Sequence, residues 1–444
     1  MVPLTLNLCL FFTAVASAQA LRHARNHQNT VPLPTLLPPA SFLAPIVSRT
    51  PRRLSKVEAL RSLRSSGGAS HIALLVGAQH DYEYLTNVTV GGQSFSVVVD
   101  TGSSDTWLAE KGFACSNLTG HPEPASTCAF GTHGFDSHLS RSYQKLPDSV
   151  FSIEYGDGEF LSGSVAFDTV TVGGLKVTHQ EIGLVSSAAW VGDGISTGLL
   201  GLAYPALTSV KSKSHGVQMP YNPFFFNAVK QKSVAHPYFS LALNRGTEAG
   251  KHTSGIDPHL GFLAFGGIAP VPVAATAATV PVQAFTAGDR APGTGPGTAF
   301  FFYAVDVQRY VFPHSAGVST ASNTTIIDSG TTLNLVPGAV AQAYNTGWGN
   351  VSWHDGLYYV DCDARAPPFA VVLGGATFTV DPRDQVIPVE ADANGKPQCI
   401  SGTQDGGPEV EGNVFILGDV FLHNVVVTFD IQKNRITFTQ RENY

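Results

Sequence analysis

Charge is scarce in this sequence. Asp, Glu, Lys and Arg make up 13% of its 444 residues, against 43% hydrophobic. Core material is therefore ample, and most of the surface must be covered by uncharged polar groups. At this length two domains are the natural expectation. Long apolar runs are missing too. Residues 4–16 carry no charge but fall short of a bilayer span, and no later stretch reaches that length. With small residues at Ala16-Ser17-Ala18 and Ala18-Gln19-Ala20, residues 1–20 read as a signal peptide, although no Lys or Arg precedes the apolar run. The polar end Arg441-Glu442-Asn443-Tyr444 does not fit a hydrophobic anchor signal. A secreted, extracellular chain without a membrane span is expected.

Cysteine is rare as well. Of five, Cys9 falls in the signal segment, leaving Cys115, Cys128, Cys362 and Cys399. Four cysteines allow three pairings. The local one, Cys115 with Cys128 and Cys362 with Cys399, closes two separate loops and would persist only in an oxidising compartment. A zinc site is the rival reading, but no CxxC or HxxxH-type spacing accompanies these cysteines. No metal or organic cofactor is expected. Sequons at Asn87, Asn117, Asn323 and Asn350 are glycosylation candidates. The fifteen histidines read mostly as surface residues, and Trp190, Trp348 and Trp353 as packing residues.

What charge there is lies unevenly. Residues 1–64 hold eight Lys or Arg and one acid, Glu58, whereas the rest holds 18 basic and 32 acidic residues. The basic leader is proline-rich between residues 31 and 51, where extended backbone is expected. Such an arm could bind nucleic acid or a membrane, remain an unstructured tail, or cover an acidic surface of its own chain. The acidic body favours the cover. Acid would loosen it, because body carboxylates protonate while Arg and Lys stay charged. Residues 21–78 are thus read as a basic propeptide acting as an intramolecular inhibitor, with no nucleic-acid or membrane partner. The body divides into an N-terminal lobe, 79–272, and a C-terminal lobe, 273–444.

Glycine (45) and proline (28) are plentiful, which suits short strands joined by turns. Strand patterns include residues 95–99, 170–174 and 424–430. Helix signals are few, at 222–232 and 337–344, each with proline in its first turn. A mainly β fold follows.

Within it one pattern occurs twice. Phe95-Ser96-Val97-Val98-Val99-Asp100-Thr101-Gly102-Ser103-Ser104 is echoed by Thr325-Ile326-Ile327-Asp328-Ser329-Gly330-Thr331-Thr332. Each is a β-branched strand running into Asp, a hydroxyl residue, Gly and a second hydroxyl. Each also has a later echo, Leu199-Leu200-Gly201 and Ile416-Leu417-Gly418, which points to internal duplication. A carboxylate at the end of a buried strand is partly desolvated, and glycine lets the backbone approach closely. The hydroxyls of Thr101, Ser103, Ser329 and Thr331 can bond carboxylate oxygens or neighbouring backbone. Two such loops together would hold two carboxylates around one water. Their mutual repulsion raises one pKa and lowers the other, giving the acid and the base that amide hydrolysis needs.

These two motifs resemble the paired signatures of pepsin-like aspartic proteases, especially secreted fungal ones. Phe151-Ser152-Ile153-Glu154-Tyr155-Gly156-Asp157-Gly158 looks like that family's flap hairpin, and residues 198–205 and 416–421 like the segments crossing behind each aspartate. The resemblance covers roughly residues 80–444. It implies a bilobal fold of two pseudo-symmetric β lobes with an interlobe cleft, acting as an acid endopeptidase made as a zymogen. Asp100 and Asp328 would be catalytic. Thr101 and Ser329 would lock the loops together, Gly102 and Gly330 would let them approach, and Ser103 and Thr331 would bond the carboxylates. Tyr155, Gly156 and Asp157 would close over an extended peptide, Trp107 would partner Tyr155, and Leu199 would line the pocket before the scissile bond. An acid at Asp157 would help accept lysine there. The Cys362–Cys399 loop matches the C-lobe disulfide, and a monomer is implied. Residues 208–216 and about 270–299 lengthen the spacing between the aspartates, and the loop between Cys115 and Cys128 is longer than usual. The other reading is a catalytically silent peptide-binding or inhibitor protein on the same fold.

Overall fold

The strand Gln93–Asp100 shows how the sequence makes this fold. Phe95, Val97 and Val99 are buried at every second position, and Asp100 breaks the alternation by being buried as well. The preceding strand, Glu83–Val90, pairs with it through Gly91-Gly92. Both turn glycines have positive φ, +57° and +86°, where a side chain would strain the backbone. The computed structural model describes residues 37–49, 83–131, 133–155, 159–246, 256–257, 260–286, 298–313, 315, 323–389, 395–408 and 414–444. All lie in one compact unit, Leu36–Tyr444.

The chain is mainly β. One large sheet is built from the first half, in the order Val210–Ser212, Ser149–Glu154, Phe160–Val172, Leu175–Ala189, Thr106–Ser116, Gly198–Gly201, Gln93–Asp100, Glu83–Val90, Val47–Arg49 and Ile256–Asp257. In the second half, Asn323–Ile327 lies between Ala304–Val307 and Phe415–Leu417 in a five-stranded sheet, beside three smaller sheets among the described residues. A six-stranded sheet draws on both halves, in the order Phe42–Pro45, Gly261–Phe265, Tyr238–Leu243, Val425–Asp430, Arg435–Arg441 and Val273–Pro281. Phe239 packs on Phe429 at 4.7 Å and Phe429 on Tyr303 at 4.5 Å, within a hydrophobic core that runs through both halves.

Part of the basic leader belongs to these sheets. Phe42–Pro45 is an edge strand on Gly261–Phe265, Val47–Arg49 pairs with Glu83–Val90, and Ala44 and Ile46 are buried. The expected extended backbone is therefore ladder-paired β here. The signal segment and leader residues 21–36 and 50–78 lie outside the described residues. Helices occur at Phe224–Lys230 and Gly338–Asn345, capped by Pro223 and Pro337 as their sequences indicate. A short helix at Asp419–Leu422 had no sequence signal. Trp348 is buried, but Trp353 is 56% exposed. Its strand, Val351–His354, has only one half-buried residue, so no layer covers that ring.

His423 departs from the surface expectation and is buried where the halves meet. Its Nδ1 lies 3.0 Å from Asp384 Oδ1, and its Nε2 bonds the Tyr84 hydroxyl. Arg245 grips the same carboxylate through Nε and Nη2, both at 2.7 Å, and Asn424 donates to it at 2.8 Å. Burial pushes the Asp384 pKa up, but the charges and hydrogen bonds of His423 and Arg245 outweigh it and hold it at about 2. A depressed carboxyl stabilises the fold above its unfolded pKa, roughly 4. That stabilisation disappears as pH falls through about 2. Asp384→Asn should therefore unfold at lower urea than wild type at pH 5, with the deficit shrinking towards pH 2, as followed by urea denaturation.

Candidate active site

Asp100 is the last residue of its strand, paired in parallel with Gly201 of Gly198–Gly201. Leu202 N–H donates to Asp100 O at 2.9 Å, and Ala203 N–H to Ser103 O at 2.8 Å. The second copy repeats this arrangement. Asn323–Ile327 pairs in parallel with Phe415–Leu417, and Asp328 N–H donates to Leu417 O at 3.2 Å. Asp419 and Val420 N–H then bond Thr331 O and Thr332 O at 2.8 and 3.0 Å. Each aspartate loop is thus pinned by the crossing segment read from the sequence.

Four hydrogen bonds join the loops. Thr101 Oγ1 accepts from Ser329 N–H at 3.0 Å and donates to Ile327 O at 2.9 Å. Reciprocally, Ser329 Oγ accepts from Thr101 N–H at 3.2 Å and donates to Val99 O at 2.9 Å. Both side chains are buried, so neither hydroxyl has water as a substitute partner.

The carboxylates are held with the same symmetry. Asp100 accepts from Gly102 N–H at 2.7 Å and Ser103 Oγ–H at 2.5 Å, while Asp328 accepts from Gly330 N–H at 2.8 Å and Thr331 Oγ1–H at 2.7 Å. A Cβ on Gly102 would lie 2.5 Å from Asp328 Oδ1, and one on Gly330 would lie 2.7 Å from Asp100 Oδ1. Only glycine lets each loop come this close to the opposite carboxylate. Asp100 is 5% and Asp328 1% exposed. Burial, and then the charge of Asp100, raise the Asp328 pKa well above the carboxylate range despite the Thr331 and Gly330 bonds.

Over this pair lies an aromatic layer. Tyr155 follows the strand Ser149–Glu154, and its hydroxyl accepts from Trp107 Nε1–H at 3.0 Å. Burial and the Asp100 charge push the Tyr155 hydroxyl up. Leu199 is buried in the same apolar cluster as Trp107 and Tyr155. Two neighbours complete the layer: Trp190, a packing residue as its sequence reading had it, and Glu159, which the sequence left unassigned. Trp190 sits edge-to-face with Trp107 at 5.5 Å and Tyr155 at 5.6 Å. Glu159 is buried, accepts from Val191 N–H at 2.7 Å and takes Tyr155 N–H on its backbone carbonyl at 2.8 Å. Its position just past the Gly156-Asp157-Gly158 sequence carries no local signal. Gly156 and Asp157 lie outside the described residues.

Both local disulfides are formed, Cys115–Cys128 and Cys362–Cys399. Asn87 and Asn350 are exposed, Asn117 is half-buried, and Asn323 is 7% exposed. Among the described residues, no group of three His, Cys, Asp or Glu is placed to hold a metal ion, and no helix is long and apolar enough to cross a membrane.

Two loops that lock each other and bring buried carboxylates together define an aspartic-type peptide hydrolase. The sequence pattern of the eukaryotic aspartyl protease family matches residues 83–441, and the chain belongs to that family. It is 34% identical over 384 residues to a probable aspartic-type endopeptidase of Aspergillus fumigatus, covering 85% of this chain and 82% of that one. With rhizopuspepsin-1 of Rhizopus niveus it shares 33% identity over 374 residues, 82% of each chain. The crystal structure of an aspartic proteinase from Irpex lacteus has the same fold. It matches with a TM-score of 0.62 at 20% identity, covering 90% of this chain and 97% of that one.

Thr101→Val keeps the shape but orphans the Ser329 N–H and the Ile327 carbonyl. We expect a loss of about 2–4 kcal/mol in chemical denaturation, the cost of two unsatisfied buried groups.

Proposed function

We propose that this chain is a secreted aspartic endopeptidase, made as a zymogen, in which Asp100 and Asp328 activate a water against a peptide bond at acid pH. The observation that carries the proposal is the reciprocal Thr101–Ser329 lock, with each glycine pressed against the opposite carboxylate. Two buried carboxylates at such range hold one proton between them. Asp328 keeps it in the free enzyme and delivers it to the substrate carbonyl oxygen, while Asp100 takes a proton from the attacking water. The substrate backbone lies extended beneath Tyr155, Gly156 and Asp157. Trp107 and Leu199 wall the pocket before the scissile bond, and Asp157 accepts lysine there. Asp157→Ser should selectively depress cleavage after Lys; an equal loss on hydrophobic substrates would reject that role.

Residues 1–20 direct secretion, consistent with two disulfides and with exposed sequons at Asn87 and Asn350. Residues 21–78 form the inhibitory propeptide over lobes 79–272 and 273–444 of a monomer. Acid loosens it by protonating body carboxylates while its Arg and Lys stay charged.

A raised carboxyl stays protonated above its ordinary pKa, so the shared proton is present in acid and lost as pH rises. Activity should therefore be maximal in acid and fall as Asp328 deprotonates. Acid-treated wild type should cleave peptides at about pH 3–4 and be blocked by a statine-type transition-state mimic. Asp328→Asn should lose activity by about 10³-fold or more. A wild type that stays inert once its leader is removed would overturn the proposal and favour the silent binding protein.

A further inference from the structure

Residues 208–216 entered the sequence reading only as a departure in length, and the proposed reaction does not use them. In the structure this stretch is anchored at both ends. At one end, Asp105, five residues after Asp100, is 1% exposed. Its carboxylate accepts from Ser209 N–H through Oδ1 at 3.1 Å and Oδ2 at 3.0 Å, and from the Tyr221 hydroxyl at 2.8 Å. At the other end, Val210–Ser212 adds an antiparallel strand to the edge of Ser149–Glu154, with Val210 opposite Phe151 and Ser212 opposite Ser149. Exposed Asp148 closes this end. It accepts from Ser214 N–H at 2.9 Å, Ser214 Oγ–H at 2.6 Å and Ser212 Oγ–H at 3.1 Å, and its carbonyl accepts from Lys213 N–H at 2.9 Å.

Between the two ends, Val210 and Tyr221 are buried in the apolar cluster that holds Trp107, Phe151 and Leu199, with Tyr155 packed against it. Ser149–Glu154 is the strand that leads into Tyr155, and it pairs with Phe160–Val172 on the far side of the turn. One short segment is therefore bonded both to the end of the Asp100 loop and to the root of the flap hairpin. A buried carboxylate held by a backbone N–H and a hydroxyl fixes its partners' positions more tightly than apolar contact alone.

We propose that residues 208–221 are a brace that sets the position of the flap relative to the Asp100 loop, with Asp105 and Asp148 as positioning residues at its two ends. Neither touches the reacting atoms. Cutting the brace at either end lets the flap root move without disturbing the dyad, so substrate is held less well while the chemical step is preserved. The consequence for substrate rests on the dyad reading above; the mechanical consequence does not.

Two variants test it. Tyr221→Phe removes a single oxygen at the Asp105 end, and Asp148→Gly removes an exposed acceptor at the other with a residue that suits the φ of +54° there. Each should speed hydrogen exchange of amides 149–155 and 160–163 by about 5- to 10-fold, the loss of roughly one hydrogen bond, while amides 425–430 exchange as in wild type. Each should raise KM for an extended peptide about 3- to 10-fold with kcat within about two-fold, the mark of lost substrate binding. Asp148→Asn, which retains an acceptor oxygen, should recover part of both effects. Flap-root exchange and KM unchanged in both variants, or exchange raised uniformly across the protein with KM unchanged, would overturn the proposal. If wild type itself is inactive the dyad reading fails, and the exchange experiment still decides whether the brace exists.

Discussion

Thr101 and Ser329 each use their hydroxyl twice, accepting from the other's backbone N–H and donating to the carbonyl two residues before it. A hydroxyl engaged on both sides cannot rotate, and a buried one has no solvent to fall back on. The two loops are therefore fixed in angle and separation at once. The closeness of Asp100 and Asp328, the need for glycine at 102 and 330, and the raised pKa of Asp328 all depend on that fixed separation. Without the lock, two buried carboxylates would relax apart.

That constraint needs a rigid surround. The six-stranded sheet supplies it by interleaving strands of both halves, with Phe239, Phe429 and Tyr303 packed together. The Arg245–Asp384–His423 group adds a polar tie between the segments that enter and leave this sheet. The crossing strands behind each aspartate then carry the order of the sheets directly to the loops.

The parts of this arrangement that are local in sequence were legible. Asp-Thr-Gly and Asp-Ser-Gly after β-branched runs marked the loops, and Pro223 and Pro337 marked the two longer helices, because strand ends and helix starts are written in adjacent residues. What depends on distant partners was not. Val210–Ser212 is too short to show alternation and becomes a strand only because the edge of Ser149–Glu154 is free to receive it. Asp105 carries no sequence signal, because its partners Ser209 and Tyr221 lie over a hundred positions away. The leader's residues 42–49 read as an extended arm, and the partners that make them sheet strands lie far along the chain. Trp353 shows the reverse failure. A tryptophan predicts burial on average, but Trp353 is 56% exposed on a hairpin strand with only one half-buried residue.

Burial and the Asp100 charge together should keep a proton on Asp328. This is tested most directly by following the Asp328 carboxyl band with infrared difference spectroscopy across a pH titration, in wild type and in Asp100→Asn. In wild type, Asp328 should remain protonated well above the ordinary aspartate range. Without the Asp100 charge its titration should move down, yet stay above that range because the burial remains. An Asp328 that titrates near pH 4 in both proteins, roughly the value of an exposed aspartate, would contradict it.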